Sequence, residues 1–553
     1  MDNQRLIIWS FFGFMCFLTY QAWVLDNTQD AIYTERPTQS QNNIRENNID
    51  QSVIIVDQAP SIEDTFSDTE EKENNSKSDK LIIVKTDVLE LQINPKGGTI
   101  QGAKLLKYPK TKDQPDHLVE LLSSSGPEFG LIQTGLRTVN GEQEANHLVT
   151  YITEALNYEL TYDGELIIPL YWNDGKGITV EKTFRLTNGD YNVQIEHRLQ
   201  NNSSQLWQGT SYSQIIKRVS TKNRSMFDVE SFSFDGPITY DGDKSEKIDT
   251  SDLYEDGPIK YSTDRGWIGN IQHHFVSAIV PPMGEEKRYQ ISTDNVRVIS
   301  STIGSIQNVN DGDSKTFTTS AFIGPKLQSQ MDKITPSLKL TVDYGFLTVL
   351  SDPLFWLLSF IYSFVNNWGI AIILVTVIIK LLFYKLTEKS GHSMAKMRAI
   401  APRLKSIQER YKDNRAELGK ATMELYKREK VNPAAGCVPM LIQMPFFLAF
   451  YWVLLESVEM RQAPFILWLT DLSSRDPYFI LPLIMAVAML FQTKLNPAPA
   501  DPMQAKVMQI MPIMFSVMFA FFPSGLVLYW VTNTILSILQ QWLINKKYGV
   551  NET

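Results

Sequence analysis

From residue 346 onward, apolar runs follow one another with little charge inside them: 346–384, 437–458, 479–492, 508–522 and 526–544. Runs of this kind have no stable place in water, and about 20 apolar residues form a helix that crosses the hydrocarbon core of a bilayer. A further run, residues 6–25, LIIWSFFGFMCFLTYQAWVL, carries no charge at all. The stretch 346–384 is too long for one perpendicular span and is expected to divide. Residues 346–360 are predicted to lie along the outer interface as an amphipathic helix, and Asn366, Asn367 and Trp368 to open a span ending near Tyr384. Pro523, Ser524 and Gly525 separate the last two runs, a breaker cluster that predicts a hairpin of two spans. The expected total is six spans. Several approach only about 15 residues, or roughly 22 Å of helix, and local bilayer thinning is one response to that mismatch.

Loop charge sets the orientation. Residues 385–431 hold 13 Lys or Arg against 6 Asp or Glu, whereas 459–478 are basic only at Arg461 and Arg475. The positive-inside rule therefore places 385–431 in the cytoplasm. Arg5 precedes the first run and acidic, amide-rich sequence follows it, which puts the amino terminus inside as well. A cleaved signal peptide is the alternative, but the run is longer than a usual signal core and lacks an A-x-A-like site. Residues 1–25 are read as a signal anchor, and the tail 545–553 as cytoplasmic.

Composition conceals these parts. Over 553 residues, 43% hydrophobic content and a mean hydropathy of -0.16 would suit a soluble protein. Residues 26–80 are rich in Asn, Gln, Ser, Asp and Glu, too polar to fold alone, and read as an acidic linker. Residues 81–336 alternate apolar and polar positions between Gly, Asn, Asp and Pro turns, as in NYELTYDGELIIPLYW, YNVQIEHRLQN and RYQISTDNVRVISS. That period of two predicts a large antiparallel β-sandwich on the outer side. It contains no cysteine; the chain's two, Cys16 and Cys437, fall in membrane segments, so a disulfide scaffold is excluded. Residues 337–360 form the interfacial segment and 361–544 the helical core. A net charge of -9 and a pI near 5.4 argue against a dedicated nucleic-acid binder, although the basic loop keeps ribosomal RNA open as a partner.

Within 385–431, Met397, Ile400, Leu404, Ile407 and Tyr411 form one apolar stripe and Leu418, Ala421 and Leu425 a second. Two short antiparallel helices would bury the stripes against each other. Their basic residues, Lys396, Arg398, Arg403, Lys405 and Arg410, suit docking to ribosomal RNA, acidic partners or anionic lipid; the plainer reading is a solvated hairpin that sets topology. No GxxxxGK[ST], HExxH or suitably placed GxSxG occurs. His273 and His274, adjacent in a strand-like segment, should face opposite ways and cannot easily share a metal. Lys380, inside GIAIILVTVIIKLLFYKL, is the most telling polar residue. An ionisable group at the centre of a span costs roughly 2.5 to 3.5 kcal/mol, which suggests a use. Snorkelling of the ammonium to the headgroups is the alternative.

The stretches SMAKMRAIAPRLKSIQERY, LYKREKVNPAAGCVPMLIQMPFFLAFYWVL, RQAPFILWLTDLSSRDPYFILP, DPMQAKVMQIMPIMF and FPSGLVLYWVTN closely resemble the YidC membrane protein insertases of the YidC/Oxa/Alb family. The anchor and the large outer domain resemble the Gram-negative form. The resemblance implies an α-helical polytopic protein of the bacterial inner membrane, with a five-helix insertase core and a large extracytoplasmic β-sandwich. It implies insertion and folding of nascent inner-membrane proteins, alone or beside the Sec translocon and its accessory membrane subunits. Implied partners also include the ribosome, the targeting machinery and membrane lipids; no cofactor, metal or enzymatic step is implied.

The family mechanism rests on a hydrated groove with one positive charge, and Lys380 matches that charge, where relatives usually carry Arg. Lysine keeps the charge but loses the planar fork and becomes titratable. Lys385 stands where many relatives have Pro, so a less sharply defined helix end is expected there. Thr376, one turn before Lys380, with Gln443, Glu456, Thr532 and Asn533, is expected to wet the groove. Trp530 matches an aromatic position lining it, and Pro439 and Pro445 interrupt a span that lines a cavity. The rival readings are a small-molecule transporter, for which no duplicated half is visible, and a carbohydrate-sensing receptor, for which no residue cluster stands out.

Overall fold

A computed structural model describes residues 80–142, 144–161, 164–220, 233–294, 296–411, 414–429, 438–495 and 502–547. The anchor 1–25, the linker up to residue 79, Cys16, Cys437 and residues 548–553 of the tail lie outside the described residues.

The alternating region forms two facing sheets of 11 and 9 strands among the described residues. Neighbouring strands run antiparallel except Ile82–Lys85, which pairs in parallel with Asn157–Glu159. Asn192–Asn201 shows why the sequence was readable: Val193, Ile195 and Leu199 point inward, while Arg198 is exposed and Gln194 and Glu196 are half-buried. That strand pairs on both sides, with Ile178–Thr187 and Ser314–Pro325. Leu91, Phe184, Trp267 and Phe322 are fully buried between the layers. At about 1.5 to 3 kcal/mol for each large apolar side chain, such burial replaces the covalent support that absent cysteines cannot give. One interior group breaks the pattern. Lys182 is fully buried, and its Nζ donates to the carbonyls of Gly97 at 2.7 Å and Thr134 at 3.0 Å. Gly98, with φ at +55°, leaves the room: a Cβ there would stand 2.9 Å from Lys182 Cδ.

The helical region comprises α1 (Thr348–Val365), α2 (Trp368–Leu382), α3 (Tyr384–Ala399), α4 (Ala401–Arg410), α5 (Arg415–Arg428), α6 (Val438–Glu456), α7 (Ile480–Leu495), α8 (Pro502–Phe519) and α9 (Ser524–Lys547). Among the described residues, α1 alone is a single helix long and apolar enough to cross a membrane by length and composition. It covers the segment expected to lie along the interface. The pair α2 and α3 passes the same test jointly but bends by 61° at the break, while Ile442–Glu456, Ile480–Thr493 and Val507–Phe519 are apolar but shorter. Asn367 caps α2, its side chain accepting from the Ile370 N–H. Near Lys385, α2 stops at Phe383, whose ring packs edge-on against Phe446 at 5.1 Å, and α3 begins at the next residue, Tyr384. No proline is needed to stop it.

The basic hairpin differs from expectation in one respect. Its first arm is two helices, α3 and α4, because Pro402 stands in the first turn of α4 and cannot continue α3. The stripes do meet: Ile400 and Leu425 are buried together against Met397, Leu404, Ile407 and Tyr426.

Residues 461–479 fold back over the amino-terminal ends of α2 and α9. Asn367 Nδ2 donates to the Phe465 carbonyl at 3.0 Å, and the Gly525 and Ser524 N–H groups donate to Leu472 at 2.8 Å and Ser474 at 2.7 Å. The sandwich meets the same end of the bundle. His273 and His274 sit in a turn rather than a strand, so their rings stack at 3.8 Å instead of facing apart. Both Nε2 atoms approach the Leu455 carbonyl, at 3.0 and 3.3 Å, in the last turn of α6. Buried Lys326 donates to the His273 carbonyl at 2.8 Å, and burial pulls its pKa down to about 8.

Candidate functional site: a buried ammonium between three helices

Lys380 lies two residues from the end of α2, only 7% exposed. Its Nζ donates to Gln443 Oε1 of α6 at 3.3 Å and to Ser537 Oγ of α9 at 2.8 Å. The Ser537 hydroxyl donates in turn to the Asn533 carbonyl at 2.7 Å, so a lone pair of its oxygen faces the ammonium. One turn further, Gln540 Nε2 donates to the Lys380 carbonyl at 3.2 Å, next to the break between α2 and α3. Asn533, Ser537 and Gln540, spaced by four and three residues, share one face of α9. Both acceptors of the ammonium are neutral, and among the described residues no carboxylate pairs with it. An unmatched cation held this way projects its field onto whatever approaches.

The structure therefore brings Lys380 and Gln443 together and adds Asn533 through its backbone. It does not add the others. Thr376 is buried, but its hydroxyl donates to the Ile372 carbonyl of its own helix at 2.6 Å, the usual way a helical Thr satisfies itself. Glu456 stands 13 residues beyond Gln443 on α6, about 20 Å along a helix, and is buried at the sandwich junction instead. Trp530 packs edge-on against Phe447 at 4.5 Å and lies tilted against Phe519 at 4.8 Å, and Thr532 is half-buried on α9. Ser537 and Gln540 escaped the sequence reading because a lone Ser or Gln in an apolar helix looks like any interhelical hydrogen bonder. Their spacing from Asn533 was the available signal.

On the hairpin, Lys396, Arg403, Lys405 and Arg410 are exposed, with Arg403 also paired to Glu429 at 2.6 Å. Arg398 falls on α3, its side chain outside the described set. Among the described residues, no group of three or more His, Cys, Asp or Glu is close enough to hold a metal.

Comparison with known proteins resolves the family. The profile of the 60Kd inner membrane protein matches residues 360–551, and that of the YidC periplasmic domain matches residues 81–357. The membrane protein insertase YidC of Nitrosococcus oceani is 41% identical over 555 residues, covering 99% of each chain. That of Methylococcus capsulatus is 42% identical, covering 100% of this chain and 99% of its own. The chain belongs to the YidC family of membrane protein insertases. As a YidC it is an inner-membrane protein insertase rather than an enzyme, and its sandwich is the YidC periplasmic domain. Among solved structures, an active YidC insertase with its first transmembrane domain resolved overlaps at TM-score 0.39 and 19% identity, covering 84% of this chain and 92% of that one. A galactose mutarotase related enzyme from Lactobacillus acidophilus overlaps at TM-score 0.31 and 10% identity, covering 44% of this chain and 97% of that one. Overlaps this loose leave the family assignment resting on the sequence matches.

Proposed function

We propose that this insertase draws the acidic tail of a nascent inner-membrane protein toward Lys380, while the substrate's apolar segment leaves sideways along α6 and α8. The observation that carries this reading is the buried ammonium at the meeting of three helices, held among the described residues by the neutral acceptors Gln443 and Ser537. Two unit charges 4 Å apart attract by about 4 kcal/mol at an effective dielectric of about 20, and water in the groove lowers that value. Partitioning then drives release into lipid, at about 25 cal/mol per Å² of apolar surface buried.

Six spans fit this mechanism: residues 6–25, α2, α6, α7, α8 and α9. Residues 1–25 anchor the chain, 26–80 link it to the sandwich 81–336, and 361–544 form the insertase core. The segment 337–360 stays at the outer interface despite the apolarity of α1. Parity supports that choice: if α1 also crossed, the hairpin 385–431, with its 13 basic residues, would face the periplasm. The exposed ladder of Trp356, Phe360 and Phe364 suits a headgroup boundary as well. Both termini, with the tail 545–553, then lie in the cytoplasm. There the exposed Lys396, Arg403, Lys405 and Arg410, with Arg398, receive ribosome, targeting machinery or anionic lipid, and the Sec translocon is a lateral partner. Lys380→Gln is expected to slow insertion of acidic-tailed, Sec-independent substrates about tenfold or more, in line with losing a few kcal/mol of attraction. Protease accessibility of newly made substrate measures it, and insertion at the full rate would refute the charge role.

A further inference from the structure

We infer that Ser537 is a positioning residue for the charge at Lys380, and that Gln540 fixes the backbone from which that side chain springs. The inference rests on the proposed role of Lys380 and extends it to how the charge is aimed. A lysine ammonium has three N–H donors at the end of a mobile four-carbon stem. Here one goes to Ser537 at 2.8 Å and one to Gln443 at 3.3 Å, which leaves the third for an arriving carboxylate. The shorter bond is to Ser537, and its direction is settled. Because the Ser537 proton is committed to the Asn533 carbonyl, the oxygen can only accept from Lys380 along that line.

The backbone is held too. α2 ends two residues after Lys380 at a 61° bend, and helix ends leave carbonyls without intrahelical partners. Gln540 Nε2 donates to the Lys380 carbonyl from α9, and in doing so leaves its own Oε1 buried with no hydrogen-bond partner among the described residues. An amide that gives up one of its bonds is oriented by the other. Turned over, its oxygen would face the Lys380 carbonyl oxygen. The pair at positions 537 and 540 thus grips Lys380 at both ends of its side chain, and only the Ser537 contact bears on where the charge points. Without it the ammonium keeps one longer bond and its stem is free to snorkel toward water or headgroups.

The test uses the full-length protein in a strain depleted of the wild type, with one Sec-independent substrate carrying either Asp or Asn in its translocated tail. The readout is the ratio of the two insertion rates. Ser537→Ala is expected to lower the Asp-over-Asn ratio about fivefold, the size of one ordinary net hydrogen bond. Ser537→Thr, which keeps the hydroxyl, is expected to restore it. In a Lys380→Gln background, Ser537→Ala is expected to have no further effect on the ratio. Equal slowing of both substrates by Ser537→Ala, or a ratio that stays at the wild-type value, would overturn the inference. If Lys380→Gln itself leaves the ratio at the wild-type value, the charge reading has failed instead, so the two failures are separable.

Discussion

Gly369, in the first turn of α2, is the position where a single added methyl should be felt most. It is buried, and a Cβ built on it would overlap the Phe465 ring and stand 2.8 Å from the Phe465 Cβ. The ring cannot simply swing away, because its own Cβ is part of the clash. The backbone at Phe465 must move, and it is tied on both sides: its N–H donates to the Leu469 carbonyl at 2.8 Å and its carbonyl accepts from Asn367 Nδ2 at 3.0 Å. Overpacking costs typically about 1 to 3 kcal/mol. Losing the Asn367 bond adds about 1 kcal/mol. Gly369→Ala is therefore expected to destabilise the detergent-purified protein by about 2 to 4 kcal/mol, lowering the midpoint of its unfolding transition. Phe465→Ala removes the obstacle, so the same glycine substitution in that background should cost less than about 1 kcal/mol, a coupling that a double-mutant cycle reads directly. A Gly369→Ala cost below about 0.5 kcal/mol, or an identical cost with and without the Phe465 ring, would refute the reasoning.

Two further outcomes follow from groups away from the site. Lys182 is fully buried, and that burial pulls its pKa down from 10.5 to about 7. Between those values the unfolded chain binds the proton that the folded domain has lost, so stability rises with pH across that window, by about 1.4 kcal/mol per unit. Urea unfolding of the full chain followed by tryptophan fluorescence at pH 7 and 9.5 should show that rise, and Lys182→Met should flatten it; a slope unchanged by the substitution would contradict the assignment. On the hairpin, Leu425→Asp places a charge in the apolar contact with Ile400 and should separate the two arms. Limited proteolysis should then cut between α4 and α5 faster than in the wild type, while an unchanged cutting rate would mean that the contact does not hold the arms.

What could be read from the sequence was whatever shows as a period or as a conspicuous exception to one. The strand Asn192–Asn201 announces itself because polar residues recur at every second place, and the apolar runs mark α6, α7 and α8 without knowledge of any neighbour. Lys380 stood out for the same reason, a charge in an apolar run. Contacts between distant residues leave no such trace. Phe465 lies 96 residues from Gly369, and nothing local says that the glycine is small for the sake of that ring. Thr376 shows what spacing leaves out: it puts the residue one turn before Lys380, but cannot tell that its hydroxyl donates to the Ile372 carbonyl of its own helix. Lys182 alternates correctly as an inward position of its strand, yet only the carbonyls of Gly97 and Thr134, far away in sequence, explain how an ammonium is tolerated there.

The two ends of α2 are built differently, and that difference sets what a substrate must do. At the amino-terminal end, Gly369 and Phe465 close the packing, and the loop 461–479 binds α2 and α9 together through Asn367, Ser524 and Gly525. Eleven residues further on, Lys380 faces Gln443 and Ser537. At 1.5 Å per residue the charge lies about 16 Å from the closed end, close to half of a hydrocarbon core of about 30 Å. On the proposed topology an acidic group that reaches Lys380 still has the roughly 16 Å to the closed end ahead of it, along buried residues of α2 such as Thr376, Val375 and Ile372. Charge selection and closure are thus carried by separate residues on one helix. Loosening the closed end at Gly369 should let small ions pass without changing the preference for acidic tails, whereas substitution at Ser537 should change that preference without opening a leak. Measuring ion flux and the Asp-over-Asn insertion ratio on the same two variants tests that separation, and a leak through Ser537→Ala would show that the charge and the seal are one structure.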